Sequence, residues 1–222
     1  MSDGLVAEVA LLLAFLEEVP LTDAVRNLEH ELDGCDGKSA AARAAAAGVS
    51  LELLAAAVAT RRKLGRVNDL IHASAIALML PTLLDDDEVV QGRPSLAAGN
   101  DPTRPYDLQT NKRIAEFKLA QWAGADAMRK RKVFKDLVHL ASDDSGRRVQ
   151  LLVVGQAPIK FLRESTSPAR WGLDRATSTR ALFEQRFGPL PMPIHEFTAG
   201  PAAHVELVDL EPHLPELIGA LV

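Results

Sequence analysis

Cysteine is almost missing from this 222-residue chain. The single Cys35 excludes an intramolecular disulfide framework and any zinc site built on cysteines. It fits a reducing, cytoplasmic setting. Aromatics are scarce at 5%, with two tryptophans and one tyrosine, which leaves little from which to build a stacking platform for single-stranded nucleic acid. No run reaches the roughly 18–20 apolar residues of a membrane span. The apolar start lacks the basic flank and small-residue cleavage site of a secretory signal. Positive charge is not in excess either: 25 Lys and Arg against 30 Asp and Glu give −5. That excludes a wholly basic surface while allowing a local basic groove. A phosphate-binding loop is also absent, because residues 155–160 (GQAPIK) lack the second glycine and the Lys-Ser/Thr pair.

What is present is an ordinary globular balance, 47% apolar and 25% charged, in a length suited to one large core with an appendage. Residues 1–64 read as a helical segment and 65–222 as an α/β core with a C-terminal extension. In the first segment Leu5, Val9, Leu12, Leu13 and Leu16 recur at helical spacing up to Pro20. A second helix follows Thr22 and stops at Gly34. An alanine-rich helix ends at Gly48, and Ser50 caps the next. The helix after Gly65 is apolar nearly all round, predicting burial, and Pro81 closes it. Asp85-Asp86-Asp87-Glu88 then oppose the helix dipole and read as an exposed loop.

Three short strands in a meander are predicted next, over 89–99, 105–110 and 113–122. A helix over 126–141 directs Val133, Phe134, Leu137, Val138 and Ala141 inward and carries a basic outer face. Residues 148–154 are apolar on both faces, as in a central strand. A Gly/Pro/Ser/Arg-rich connection, a helix over 180–187, a strand over 204–208 and a last amphipathic helix complete the chain.

The chemistry concentrates in PYDLQTNKRIAEFK, residues 105–118. With Asn111-Lys112 as a two-residue turn using the left-handed conformation of Asn111, Thr110 opposes Arg113 and Asp107 opposes Glu116. Opposed residues stand about 4.5–5.5 Å apart at Cβ on one face. Two carboxylates at that distance repel unless one divalent cation binds both. Lys118 projects from the same face as Glu116. A metal would acidify a bound water, and the lysine would orient it or offset developing charge. The same spacing also suits an exposed hairpin with a cross-strand Asp, Glu and Lys cluster.

The element order around this segment resembles the PD-(D/E)xK nuclease superfamily, the restriction-endonuclease-like fold, over roughly residues 66–154. Helix, three-strand meander with Asp on the second strand and Glu-x-Lys on the third, helix and strand carry the resemblance, with Tyr106 interposed between Pro105 and Asp107. The resemblance implies an α/β protein with a mixed sheet flanked by helices. It implies Asp107, Glu116 and Lys118 as catalytic residues, and Asp107, Glu116 and the Phe117 carbonyl as ligands of Mg²⁺ or Mn²⁺. Asp69 on the preceding helix is a further candidate acid, with His72 one turn on. Nucleic acid, DNA before RNA, is the expected partner, with phosphates met by Arg129, Lys130, Lys132 and Lys135 and by the Arg-rich loop 163–175. The N-terminal helices are expected to dimerise or bind a protein. The alternative is a non-catalytic interaction protein that uses its helical half.

Overall fold

The computed structural model describes residues 3–18, 21–33, 35–96, 105–122 and 126–215. The chain divides into two compact units, Met1–Val67 and Asn68–Val222. In the first unit, α1 (Asp3–Glu18) packs on α4 (Leu51–Leu64), and α2 (Leu21–Leu32) on α3 (Gly37–Ala46). Asp36 and Ser50 cap α3 and α4, accepting from the Ser39 and Leu53 N–H groups at 2.8 and 3.1 Å. Pro20 and Gly34, expected as helix stops, lie outside the described residues. On α1 the expected apolar face is only partly covered: Leu5, Val9 and Leu12 are half-buried, whereas Leu13 and Leu16 are exposed. One neighbouring helix shields only a narrow stripe. Among the described residues of this unit, Ala56 alone is a buried hydrophobic.

The second unit is α/β, a four-stranded mixed sheet with helices on both faces. α5 (Val67–Leu83) leads in. Pro81 lies inside this helix rather than closing it, because the ring removes only the bond to the Ala77 carbonyl while the Leu84 N–H still reaches Leu80. Nor is α5 buried all round: His72, Ala75, Ile76 and Met79 face inward, and Leu70, Ile71 and Leu78 are exposed.

The sheet order is β1 (Leu108–Gln109), β2 (Arg113–Lys118), β3 (Arg148–Val153), β4 (Val205–Asp209). β1 and β2 are antiparallel; β3 is central and parallel to both neighbours. α6 (Ala127–Ala141), capped by Asp126, forms the crossover between β2 and β3. The first strand of the expected meander shrinks to a bridge between Val90 and Thr110. Beyond β3, α7 (Gln156–Glu164) and α8 (Ala169–Gly172) occupy the segment expected as a loop, so the arginines of 163–175 are largely helical. α9 (Thr177–Phe187) ends at Gly188, and an unforeseen α10 (Ile194–Ala199) follows the prolines. Up to residue 215 the segment after β4 is mainly turns, and the expected last helix otherwise falls outside the described residues.

Two cores clasp the sheet. Ile76 and Met79 of α5 pack on Leu108, Ala115, Phe117 and Leu152. On the opposite face Val133, Phe134 and Leu137 of α6, with Phe183 and Phe197, cover Ile114, Val149, Leu151 and Val153. Alternation along β2 thus assigns odd positions to α5 and even positions, including Glu116 and Lys118, to α6.

The acidic run is only partly the exposed loop expected. Glu88 is buried. Its carboxylate takes both Arg113 Nε and Nη2 at 2.5 Å and the Thr110 hydroxyl at 2.5 Å. Burying Arg113 requires this bidentate partner. Burial pushes the Glu88 carboxyl up, but Arg113, Thr110 and the Asp85 backbone outweigh it and hold it near 2.

Candidate active site

The β1–β2 register pairs Leu108 with Ala115 and Gln109 with Ile114, the register that the turn count predicts, but β1 begins at Leu108, so Asp107 lies just outside the ladder that would set it across from Glu116. The turn itself is built differently. No described non-glycine residue has positive φ, so Asn111 does not adopt the left-handed conformation. Instead the Thr110 hydroxyl accepts from the Lys112 and Arg113 N–H groups at 3.0 and 2.7 Å. The Asn111 amide oxygen accepts from the Val89 N–H at 2.8 Å. A side-chain turn held by the preceding loop replaces the φ-driven one.

A bend over residues 105–107 interrupts pairing before Asp107. By alternation the Phe117 N–H faces β1 and would next seek the Tyr106 carbonyl. Asp107 Oδ2 takes that N–H instead, at 2.9 Å. Both backbone polar groups of one residue point to the same side of a strand, so the Phe117 carbonyl faces this edge too. Tyr106 turns to the α6 side, its hydroxyl 3.4 Å from Asp143 Oδ2. Burial and the Asp143 charge push the phenol up to about 12.

His72 reaches Asp107 from the α5 side, while Glu116, Lys118 and Asp136 cluster on the α6 side of β2. His72 Nε2 of α5 is 3.3 Å from Asp107 Oδ2, and its Nδ1 is 3.3 Å from the Leu96 carbonyl. Both ring nitrogens face acceptors, a set that the doubly protonated ring satisfies. Burial pushes the imidazole pKa down, but Asp107 and Leu96 reverse this and raise it. Lys118 Nζ bridges Glu116 Oε1 at 2.6 Å and Asp136 Oδ2 of α6 at 2.8 Å. Burial alone would lower the Lys118 pKa, yet Asp136 and Glu116 hold it well above its usual value. Burial raises the Glu116 carboxyl to about 7; Lys118 opposes the shift, while Asp107 and Asp136 add repulsion. Glu116 and Asp136 thus share the Lys118 ammonium, and Asp107 faces the His72 ring.

The hydrogen bonds of Asp107 fall on Oδ2 and that of Glu116 on Oε1. Among the described residues Asp107 Oδ1 and Glu116 Oε2 carry no hydrogen bond. Among the described residues no three His, Cys, Asp or Glu side chains converge on a metal position by themselves. Mg²⁺, which keeps several waters, is commonly held by one or two carboxylates, and this donor set fits it.

Asp69 sits half-buried in the first turn of α5; it is His72, one turn on, whose ring meets Asp107. The basic candidates of α6 diverge. Arg129 donates to the Gln121 carbonyl at 2.6 Å and pairs with Asp126, closing the β2–α6 connection. Lys130 lies over the Phe161 ring, Lys132 is exposed, and Lys135 is half-buried with its charge acting on His139.

Asp136 belongs to no motif legible in the sequence. One local sign marks it: it is the single acid in AMRKRKVFKDLVHLA, beside the inward stripe.

No protein-family model, curated protein or solved structure matches this chain. The functional reading rests on the cluster itself.

Proposed function

We propose that the chain is a metal-dependent nuclease with a restriction-endonuclease-like core, hydrolysing phosphodiester bonds, DNA before RNA. The observation that carries this reading is the β1–β2 register, which ends one residue short of an Asp107–Glu116 pair, with Asp107 bonded to the Phe117 N–H and Lys118 held between Glu116 and Asp136. The order α5, β1–β2 hairpin, α6, β3 supports the same reading.

Asp107, Glu116 and the Phe117 carbonyl are the groups that would hold Mg²⁺ or Mn²⁺. Such an ion supplies an acidified water and polarises the phosphodiester. The chain's own residues do the rest. Lys118 presents a permanent ammonium to the charge that builds on phosphate oxygens. Asp136 fixes that ammonium, and His72 fixes the Asp107 carboxylate, as outer groups orient the inner ones. Arg129 keeps α6 docked where Asp136 can act.

Plasmid, linear duplex and single-stranded substrates, incubated with and without Mn²⁺, test the reading. Cleavage that needs the ion and disappears in Glu116→Gln is the expected result. Cleavage of equal rate in that variant would remove Glu116 from the site. In parallel, Mg²⁺ or Mn²⁺ should raise Tm, and Asp107→Ala should cancel the rise, because a ligand of the folded state stabilises it.

One observation favours a second reading. Leu13, Leu51, Leu54 and Val58 of the first unit are exposed, as a helical surface that binds a protein or a second copy would be. Metal-independent behaviour together with concentration-dependent self-association would favour that reading over the nuclease.

A further inference from the structure

Only two tryptophans occur in the sequence. Both line one open cleft of about 490 Å³ on the second unit, with Phe161, Lys130, Lys160 and Ser167. That volume is of ligand-site size. The Trp122 and Phe161 rings are 5.7 Å apart with planes inclined at 52°, and Phe161 and Trp171 6.3 Å apart at 63°, so the three make one half-buried cluster of angled aromatic faces. Cations already use it: Lys130 Nζ is 5.6 Å from the Phe161 centroid, and Arg131 lies 5.0 Å from that of Trp171. Aromatic scarcity in the sequence argued against a stacking platform, but the fold gathers the scarce rings in one place.

The cleft and the acids draw on the same two segments, the chain leaving β2 and α6. Trp122 is four residues past Lys118, at most about 14 Å of chain. Lys130 and Asp136 are six residues apart on α6, about 9 Å along its axis. We infer that this cleft takes an unpaired nucleobase of the polynucleotide, stacked on one face of the Trp122–Phe161–Trp171 cluster, with Lys130 and Lys160 at the flanking phosphates. The inference deepens the nuclease reading and rests on it for the identity of the ligand. Stacking recognises any base through its π-face, and the lysines supply the sequence-independent charge. Glu164, the one acid among the described residues of the lining, is 3.9 Å from Lys160, which partly offsets its repulsion of phosphate.

Because the only two tryptophans are in the cleft, intrinsic fluorescence reports its occupation directly. The full chain in EDTA, which silences metal-dependent cleavage, is titrated with a ten-nucleotide oligothymidylate and with an abasic strand of equal length. Saturable quenching by the first, and weaker binding without quenching by the second, is expected. This comparison needs no variant. Trp171→Ala should weaken oligothymidylate binding about tenfold to a hundredfold, the usual value of one stacked base. Lys160→Ala, at a largely exposed side chain, should weaken both strands alike. Equal affinity for the two strands with unchanged fluorescence, or no binding of either, overturns the inference. Base-dependent quenching without metal-dependent cleavage of any substrate would remove the nuclease reading and leave the cleft standing. Cleavage without base-dependent quenching would do the reverse.

Discussion

Each charged side chain of the cluster has a different dependence on its neighbours, and variants should separate them. Asp107→Ala, Glu116→Ala and Lys118→Ala are each expected to reduce metal-dependent cleavage to background. The triple variant should be hardly worse than any single one, since residues acting as a unit are not additive. Asp136 touches Lys118 and no expected ligand of the metal. Asp136→Asn should therefore cost about 10- to 100-fold in kcat, with KM little changed; a loss seen in KM alone would place Asp136 at the substrate. A structural residue makes a useful contrast. A Cβ on Gly172 would run into the ring of Phe134, itself locked among Phe183 and Phe197. Gly172→Ala should destabilise by about 1–3 kcal/mol through overpacking, read as a lower urea midpoint with the slope unchanged.

At the level of elements, the Glu88–Arg113 pair ties the α5–β1 connection to the start of β2, and Gln150 extends the tie to β3 through a 2.9 Å bond to Arg113 Nη1. The Glu88 carboxyl falls from 4.5 to about 2 on folding. A depressed carboxylate contributes stability that is fully present above the unfolded pKa and is lost as pH falls through the folded one. Denaturant titrations should accordingly lose on the order of 3 kcal/mol between pH 5 and pH 2 from this group. Glu88→Gln should flatten that part of the profile while lowering stability at pH 7, because buried Arg113 then has only Asp85, at 3.8 Å, as a countercharge. A variant whose acid limb matched the parent's would show that Glu88 does not set it. The outer face of α6 answers to salt instead. Replacing Lys132 and Lys135 by Ala should lower the log-log salt slope of duplex binding by about 0.9 for each phosphate no longer neutralised, alike for all sequences.

Across the whole molecule, stability is distributed unevenly. Asn68–Val222 holds nearly all the buried apolar side chains, whereas Met1–Val67 has Ala56 as its one buried hydrophobic among the described residues. Local opening free energies follow the extent of burial. Native-state hydrogen exchange should find the slowest amides at Phe117, Leu137, Leu151 and Leu152, and amides of α1–α4 near the unprotected limit. If α1–α4 exchanged as slowly as β3, their exposed leucines would have to be covered in solution by another chain, and protection would then rise with protein concentration.

The sequence alone determined what local rules govern. Period and capping located α6 with its inward stripe, Ser50 at the start of α4, and β3 as a strand apolar on both faces. Counting outward from Asn111-Lys112 set Leu108 across from Ala115, because register in a hairpin is fixed by a few residues of chain. Tertiary structure decided whatever depends on residues far apart in sequence. It buried Glu88, which reads as one of four loop acids until Arg113, 25 residues later, pairs with it. It turned His72 onto Asp107 and brought Asp136 to Lys118, since neither α5 nor α6 carries its partner locally. It left one face of α5 exposed despite its apolar composition, and it gathered Trp122, Phe161 and Trp171 into one cluster. Composition counts rings and charges, but only packing determines which of them share a surface, and the surface is where desolvation and Coulomb energy act.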